Sequence, residues 1–216
     1  MKAINLKRQL QEYIPFNQQE KKEKDVMIDY IDTFDNILTR ENEFAHFTAS
    51  NWIVNHDKTK VLMAYHNIYR SWAWTGGHSD GIEDLQEVAK REANEETGIE
   101  NLKLLSNGIY SIEILPVDGH VKRENYVASH LHLNITYLWE ADENQITRIK
   151  EDENSSVKWI DIDKVIEASS EERMKIVYQK LNQKLKIREE KRMKDSFFSN
   201  WEKILEKYLV NCKSKI

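Results

Sequence analysis

The sequence predicts a mixed α/β (α+β) protein with helical extensions at both ends. Three observations carry this reading: helical apolar spacing in the first forty residues, short β-rich runs from His46 onward, and helical spacing again from about residue 170. Leu6, Leu10, Tyr13 and Ile14 share one stripe, which stops at Pro15. Met27, Tyr30, Ile31, Phe34 and Leu38 repeat the pattern. The runs FTASNWIVN and KVLMAYH are separated by the turn Asn55-His56-Asp57-Lys58, and a Trp72/Trp74 alternation leads into Thr75-Gly76-Gly77. The spacing then predicts a helix over Asp84 to Thr97, closed by Gly98 as its C-terminal cap. Apolar runs around Leu102 to Leu115, an alternating strand from Tyr126 to Trp139 and VKWIDI at 157–162 complete the central part. The last segment places Met174, Val177, Tyr178, Leu181 and Leu185 on one stripe and Trp201, Ile204, Leu205, Tyr208 and Cys212 on another. A break or hinge is expected between them, in KIREEKRMKD. The resulting organisation is an N-terminal helical extension at 1–42, a central α/β domain at 43–168, and C-terminal helices at 169–216 that pack on the core or on the partner of a homodimer.

With 216 residues, 40% of them hydrophobic and 10% aromatic, the chain can bury one sizeable core. No apolar run approaches the roughly 18 residues of a membrane span, and the start MKAINLKRQLQEY lacks the apolar centre of a signal peptide. The single Cys212 makes neither an intrachain disulfide nor a metal cluster, in keeping with a reducing compartment. The expected location is the cytoplasm, with no membrane partner. The net charge of -5 conceals an asymmetry: residues 171–216 hold 13 Lys+Arg against 7 Asp+Glu, and the remainder holds 19 against 30. Because these basic residues alternate with glutamates on a helical pattern, they are read as solvated helix faces, and nucleic acid is not the expected partner.

Chemistry concentrates in residues 77–99, GHSDGIEDLQEVAKREANEETGI. Leu85, Val88 and Ala89 form the inward stripe of the expected helix, and each is followed seven residues later by a glutamate: Glu92, Glu95 and Glu96. Seven residues are nearly two turns, so the acids continue the buried stripe and do not occupy the solvent face that glutamate runs usually take. Their mutual repulsion calls for a cation. A hard divalent ion, Mg²⁺ in particular, takes carboxylate oxygens together with substrate phosphates.

The same segment resembles the Nudix box, G-x5-E-x7-R-E-U-x-E-E-x-G-U with U apolar, with Gly77, Glu83, Arg91, Glu92, Ala93, Glu95, Glu96, Gly98 and Ile99 in place. A chance match in a chain of this size has a frequency on the order of one in ten million. HFTASNWIVN, WTGGHSDGIEDL and SHLHLNITYLW extend the resemblance over roughly residues 1–168. It implies a Nudix-type α/β/α sandwich around a mixed sheet. It also implies a Mg²⁺ site, with Mn²⁺ as the alternative, formed by the Gly76 carbonyl, Glu92 and Glu96, with Glu95 contributing through water or one oxygen. Arg91 is expected to orient Glu83 or Glu92 through its planar fork. Gly77, Glu83 and Gly98 are assigned structural roles within the box. An acid downstream of the box often assists in this superfamily, and Glu153 is chosen from Glu151, Asp152 and Glu153. The catalytic set is therefore Glu92, Glu95, Arg91 and Glu153. His78 adjoins the metal loop, while His130 and His132 flank Leu131 and face the same side of a strand, so these three are placed on the substrate side. His46, His56, His66 and His120 are assigned to structural or exposed positions. The box departs from the common pattern at Gly81-Ile82, where Pro-Gly is often found.

The activity implied is Mg²⁺-dependent hydrolysis of a phosphoanhydride bond in a nucleoside diphosphate linked to another moiety, so the expected partner is a small nucleotide-type substrate. One alternative is a non-catalytic Nudix-fold module binding a nucleotide or RNA through the basic tail, against which the intact glutamates argue. Another is an enzyme like isopentenyl diphosphate isomerase. That reaction needs an active-site cysteine, and Cys212 lies in the C-terminal helix.

Overall fold

The computed structural model describes residues 3–122 and 124–213, with backbone only at residue 122 and over 199–213. Two helices come first, α1 (Ile4–Glu12) and α2 (Gln18–Thr33). Strands β1 (Ala45–Val54), β2 (Lys60–His66), β3 (Ser71–Ala73) and β4 (Thr75–His78) lead into helix α3 (Leu85–Thr97). Strands β5 (Lys103–Leu104), β6 (Ser111–Val117), β7 (His120–Lys122), β8 (Asn125–Val127), β9 (His130–Glu140) and β10 (Asn154–Asp161) follow, and helices α4 (Val165–Ala168) and α5 (Glu172–Lys213) end the chain. This is the α+β architecture expected, a mixed sheet flanked by helices. Residues up to Val177 form one compact unit, and a second begins at Tyr178.

The main sheet has eight strands with the path β10-β2-β1-β9-β5, while β3 pairs with β2, β4 with β1 and β6 with β9. Its one parallel pairing among these is central: β1 runs beside β9 from Ala45↔Leu131 to Val54↔Glu140. Side chains paired across adjacent strands share a face, so His46 stands beside His132, Thr48 beside Asn134 and Ser50 beside Thr136. This column is polar, and all of it is buried except the half-buried His132. Thr48 Oγ1 and Ser50 Oγ donate to Asn134 Oδ1 at 3.1 and 2.7 Å, and Asn134 Nδ2 donates to Glu113 Oε2 at 3.1 Å. Satisfied in this way, buried polar groups fix strand register instead of loosening the core.

The N-terminal helices are part of the core. Leu6, Leu10, Met27 and Ile31 are buried in one cluster with Phe47, Val88, Ile112 and Leu133. Of the residues assigned to their apolar stripes, Ile14 and Phe34 are exposed, because both lie past the ends of the helices they extend. Glu20, fully buried, accepts hydrogen bonds from Tyr13 Oη (2.6 Å), the Phe16 N–H (2.7 Å) and Ser111 Oγ (2.9 Å), which ties α2 to β6. Burial, reinforced by Glu20, raises the Tyr13 phenol far above its usual range and keeps it a donor. Helix α1 has no side-chain cap of its own. Its N-terminal N–H groups at Asn5 and Leu6 donate to Glu83 Oε1 at 2.6 and 3.4 Å, and Lys24 Nζ donates to the carbonyls of Gln11 and Tyr13 at its other end, both at 2.8 Å. An anion at the N-terminus and a cation at the C-terminus both complement the helix dipole.

In the last segment the expected break at 186–195 is absent, because the chain stays helical from Glu172 to Lys213. KIREEKRMKD has no Gly or Pro to interrupt it, and Arg192 Nη2 pairs with Glu189 Oε2 at 2.8 Å one turn back. The stripe of Trp201, Ile204, Leu205, Tyr208 and Cys212 lies outside the residues whose side chains are described. No helix among the described residues is long and apolar enough to cross a membrane.

At the end of β9, Glu140 is largely enclosed and takes hydrogen bonds from Lys58 Nζ and, at 3.4 Å, from Lys103 Nζ. The Lys58 hydrogen bond is the chief reason its carboxyl is held down at about 2. A carboxyl depressed in the folded state adds stability that is complete above its unfolded value near 4.5 and is lost as the pH falls towards 2. Glu140→Gln is expected to lower stability at pH 7 by about 1–2 kcal/mol, after discounting for solvent screening, with the difference falling to less than half at pH 3 and vanishing only below about pH 2. Urea unfolding of both proteins at pH 7 and pH 3 measures this. An equal difference at the two pH values would refute it.

Candidate active site at the end of helix α3

Helix α3 begins at Asp84, whose side chain accepts from the N–H groups of Gln86 and Glu87 at 3.1 and 3.2 Å. It ends at Gly98, at φ 78°, where an added Cβ would lie 2.7 Å from Arg148 Cγ. Leu85, Val88, Ala89 and Ala93 are buried against the sheet. Asn51 Nδ2 on β1 reaches the Ala89 carbonyl at 2.8 Å, and Asn154 Nδ2 on β10 reaches the Glu96 carbonyl at 2.9 Å. The helix is thus fixed to strands on two sides.

The glutamates differ sharply in environment. Glu96 is 4% exposed, and its Oε1 accepts the Gly76 N–H at 2.8 Å. Burial pushes its carboxyl up to about 8, against the pull of that one N–H. Glu92 is partly enclosed and also raised, by burial first, with the Arg91 hydrogen bond opposing. Glu95 is exposed, 3.6 Å from Arg91 Nε and 3.4 Å from Lys150 Nζ. Lys150 also pairs with Glu153 at 3.0 Å. The structure therefore gathers Gly76, Arg91, Glu92, Glu95, Glu96 and Glu153 at one end of α3. Lys150 is the cation that sequence reasoning missed. It lies 55 residues beyond Glu95, in a loop that Asn154 joins to the helix.

Glu83 has a different partner from those considered. It caps α1, and Arg91 turns its Nη2 to Glu92 Oε1 at 2.9 Å. The loop before α3 is shaped from outside: the Gly81 N–H donates to the Leu38 carbonyl at 2.8 Å, Ser79 Oγ donates to that carbonyl at 2.6 Å, and Arg40 grips Asp80 with two bonds of 2.8 and 2.9 Å. With Asp80 and Gly81 both at positive φ, the turn is made without the proline of the common pattern.

Gly76 and Gly77 permit two different close approaches. A Cβ on Gly76 would meet the Ala49 carbonyl oxygen at 2.4 Å and Ser50 Cα at 2.9 Å, both backbone atoms. On Gly77 the three nearest atoms would all belong to the Glu92 carboxylate, at 2.4–2.8 Å. Gly76→Ala is accordingly expected to destabilise the protein by about 2–3 kcal/mol through a forced strand shift, whereas Gly77→Ala should fold and act through displacement of Glu92. Thermal melts of the pair are the measurement. Equal losses of stability would show that the Glu92 carboxylate cannot yield.

The histidines placed on the substrate side, His78, His130 and His132, come together, and a fourth joins them. His46, Nδ1 bonded to the Asn42 carbonyl at 2.9 Å, is buried among them, and one ring nitrogen from each of the four lies within 4.8 Å of the others. His56, His66 and His120 lie outside this cluster.

A family profile described as "NUDIX domain" matches residues 45–181. The chain belongs to the NUDIX domain family. Among solved structures, it is similar to a Caenorhabditis elegans Ap4A hydrolase binary complex (18% identity, 65% of this chain and 95% of that one, TM-score 0.48). It is also similar to a Clostridium perfringens hydrolase of the NUDIX family (24% identity, 65% and 97%, TM-score 0.47). A third is the Escherichia coli dihydroneopterin triphosphate pyrophosphohydrolase (15% identity, 62% and 92%, TM-score 0.48). No curated protein matched the chain.

Proposed function

We propose that this chain hydrolyses a phosphoanhydride bond in a nucleoside diphosphate linked to another moiety, in a Mg²⁺-dependent reaction. The observation that carries the reading is the placement of two carboxylates on the paired glycines, Glu96 on Gly76 and Glu92 against Gly77, with one carboxylate buried and the other nearly so. These donors fit a hard cation. Glu96 is enclosed at a cost that its single Gly76 hydrogen bond does not offset, and that imbalance is what a divalent ion would remove. The Gly76 carbonyl, Glu92 and Glu96 would hold Mg²⁺ or Mn²⁺, with Glu95 completing the set from its exposed side. When bound, such an ion neutralises charge on phosphate oxygens and makes water more acidic.

The chain's own residues supply the rest. Arg91 fixes the Glu92 carboxylate and shields it from Glu95. Glu95 and Glu153 are the carboxylates that water reaches, and both are held by Lys150, so proton acceptance from an attacking water is assigned to this pair. Sharing the task between two acids makes either one partly dispensable.

The test is a panel of nucleoside triphosphates, nucleotide sugars, ADP-ribose, dinucleoside polyphosphates and NADH, each incubated with protein and Mg²⁺ or Mn²⁺ in ¹⁸O-water. The expected result is cleavage of at least one member into two phosphate products, one of them carrying the label. Absence of turnover across the panel with both ions would overturn the proposal.

A further inference from the structure

We propose that His46, His78, His130 and His132 form a second metal site, separate from the glutamates, that binds a divalent transition ion of the imidazole-preferring class, with zinc as the ion to test. The four come from three strands: His46 from β1, His78 from the end of β4, and His130 and His132 from β9. Parallel pairing sets His46 directly beside His132, and antiparallel pairing sets His78 beside Thr48, two residues along β1. Three neighbouring strands therefore turn imidazoles to one spot.

The hydrogen bonds fix which nitrogens are offered. His46 Nδ1 lies 2.9 Å from the Asn42 carbonyl and His130 Nδ1 lies 2.8 Å from the Ala128 carbonyl. A carbonyl only accepts, so each Nδ1 carries the hydrogen, and each neutral ring presents a bare Nε2 lone pair. Backbone carbonyls hold metal-bound imidazoles in this tautomer. His46 Nε2 is buried and has no hydrogen-bond partner. A lone pair enclosed in this way carries an unrecovered desolvation cost unless something electrophilic meets it.

Distances agree with a tetrahedral ion. Zinc–nitrogen bonds of about 2.0–2.1 Å place neighbouring nitrogens about 3.3 Å apart. His130 Nε2 and His132 Nε2 are 3.2 Å apart, and all four donors lie within 4.8 Å of one another. Closure requires each nitrogen to move by less than about 1 Å, within the reach of side-chain rotation. The competing use of clustered histidines is to meet an anion as imidazolium ions. Here the carboxylate that acts on His46, Asp80, is already gripped by Arg40, and burial favours the neutral ring. A four-imidazole site leaves no ligand position open, so its ion would be structural, fastening β1, β4 and β9 together two residues from Gly76.

Tag-free, chelator-stripped full-length protein, titrated with Zn²⁺ in excess Mg²⁺, should bind one equivalent with submicromolar affinity. His46→Gln and His130→Gln should weaken that binding by about a hundredfold or more, whereas Glu96→Gln should leave it within about threefold of the parent. Zinc K-edge absorption of the wild-type complex should show four imidazole ligands, a reading that stands even where a histidine variant does not fold. No binding at micromolar zinc, fewer than three imidazoles at the edge, or loss of zinc in Glu96→Gln would overturn the site. So would inorganic phosphate, without zinc, binding in a manner abolished by His46→Gln.

Discussion

Glu96→Gln and Glu92→Gln are each expected to fold and to lose about a hundredfold or more in kcat at saturating Mg²⁺, with Glu95→Gln losing clearly less. The difference follows from environment. Glu96 and Glu92 present their charge from enclosed positions where nothing else replaces it, whereas Glu95 lies in solvent beside Glu153, anchored on the same lysine. Glutamine retains an oxygen for the Gly76 N–H and removes a charge that burial disfavours, so metal-free Glu96→Gln should melt no lower than the parent. The measurements are steady-state rates on a substrate found in the panel, over a Mg²⁺ series, together with melts in chelator. Near-normal kcat in both Glu92→Gln and Glu96→Gln would sink the mechanism.

The second large effect concerns the N-terminal helices. Removing residues 1–33 would uncover Phe47, Ile112 and Leu133 and leave Ser111 without Glu20, so the remainder should not form a stable native state. Leu6, Leu10, Met27 and Ile31 are fully buried, and at about 2 kcal/mol each their burial alone approaches the entire net stability of an ordinary domain. The single change Leu10→Ala should cost about 3 kcal/mol and shift the urea midpoint without altering kcat. A truncated protein that unfolds cooperatively at the parent's midpoint would show that these helices are an appendage.

The sequence revealed what is local. The glutamates, their inward register and both ends of α3 sit within twenty-three consecutive residues, where helical geometry alone relates side chains. Lys150 and His46 could not be found in that way. Lys150 meets Glu95 only because Asn154 joins its loop to the Glu96 carbonyl, and His46 meets His132 only through the register of two parallel strands more than eighty residues apart. Pairing at that range depends on packing that no short pattern encodes. The expected break in the last helix failed for the opposite reason: change of stripe and abundance of charge are surface properties, and without Gly or Pro they do not stop a helix.

Glu83 gives the molecule a mechanical linkage. The carboxylate sits in the loop that leads into α3, yet its hydrogen bonds go to the first turn of α1. A displacement of Glu83 would alter the bonds that cap a helix end, near which the exposed Arg8 can be exchanged for a labelled cysteine without entering the core. A dye at that position would act as a remote gauge of loop occupancy, turning the first helix into the protein's own indicator needle.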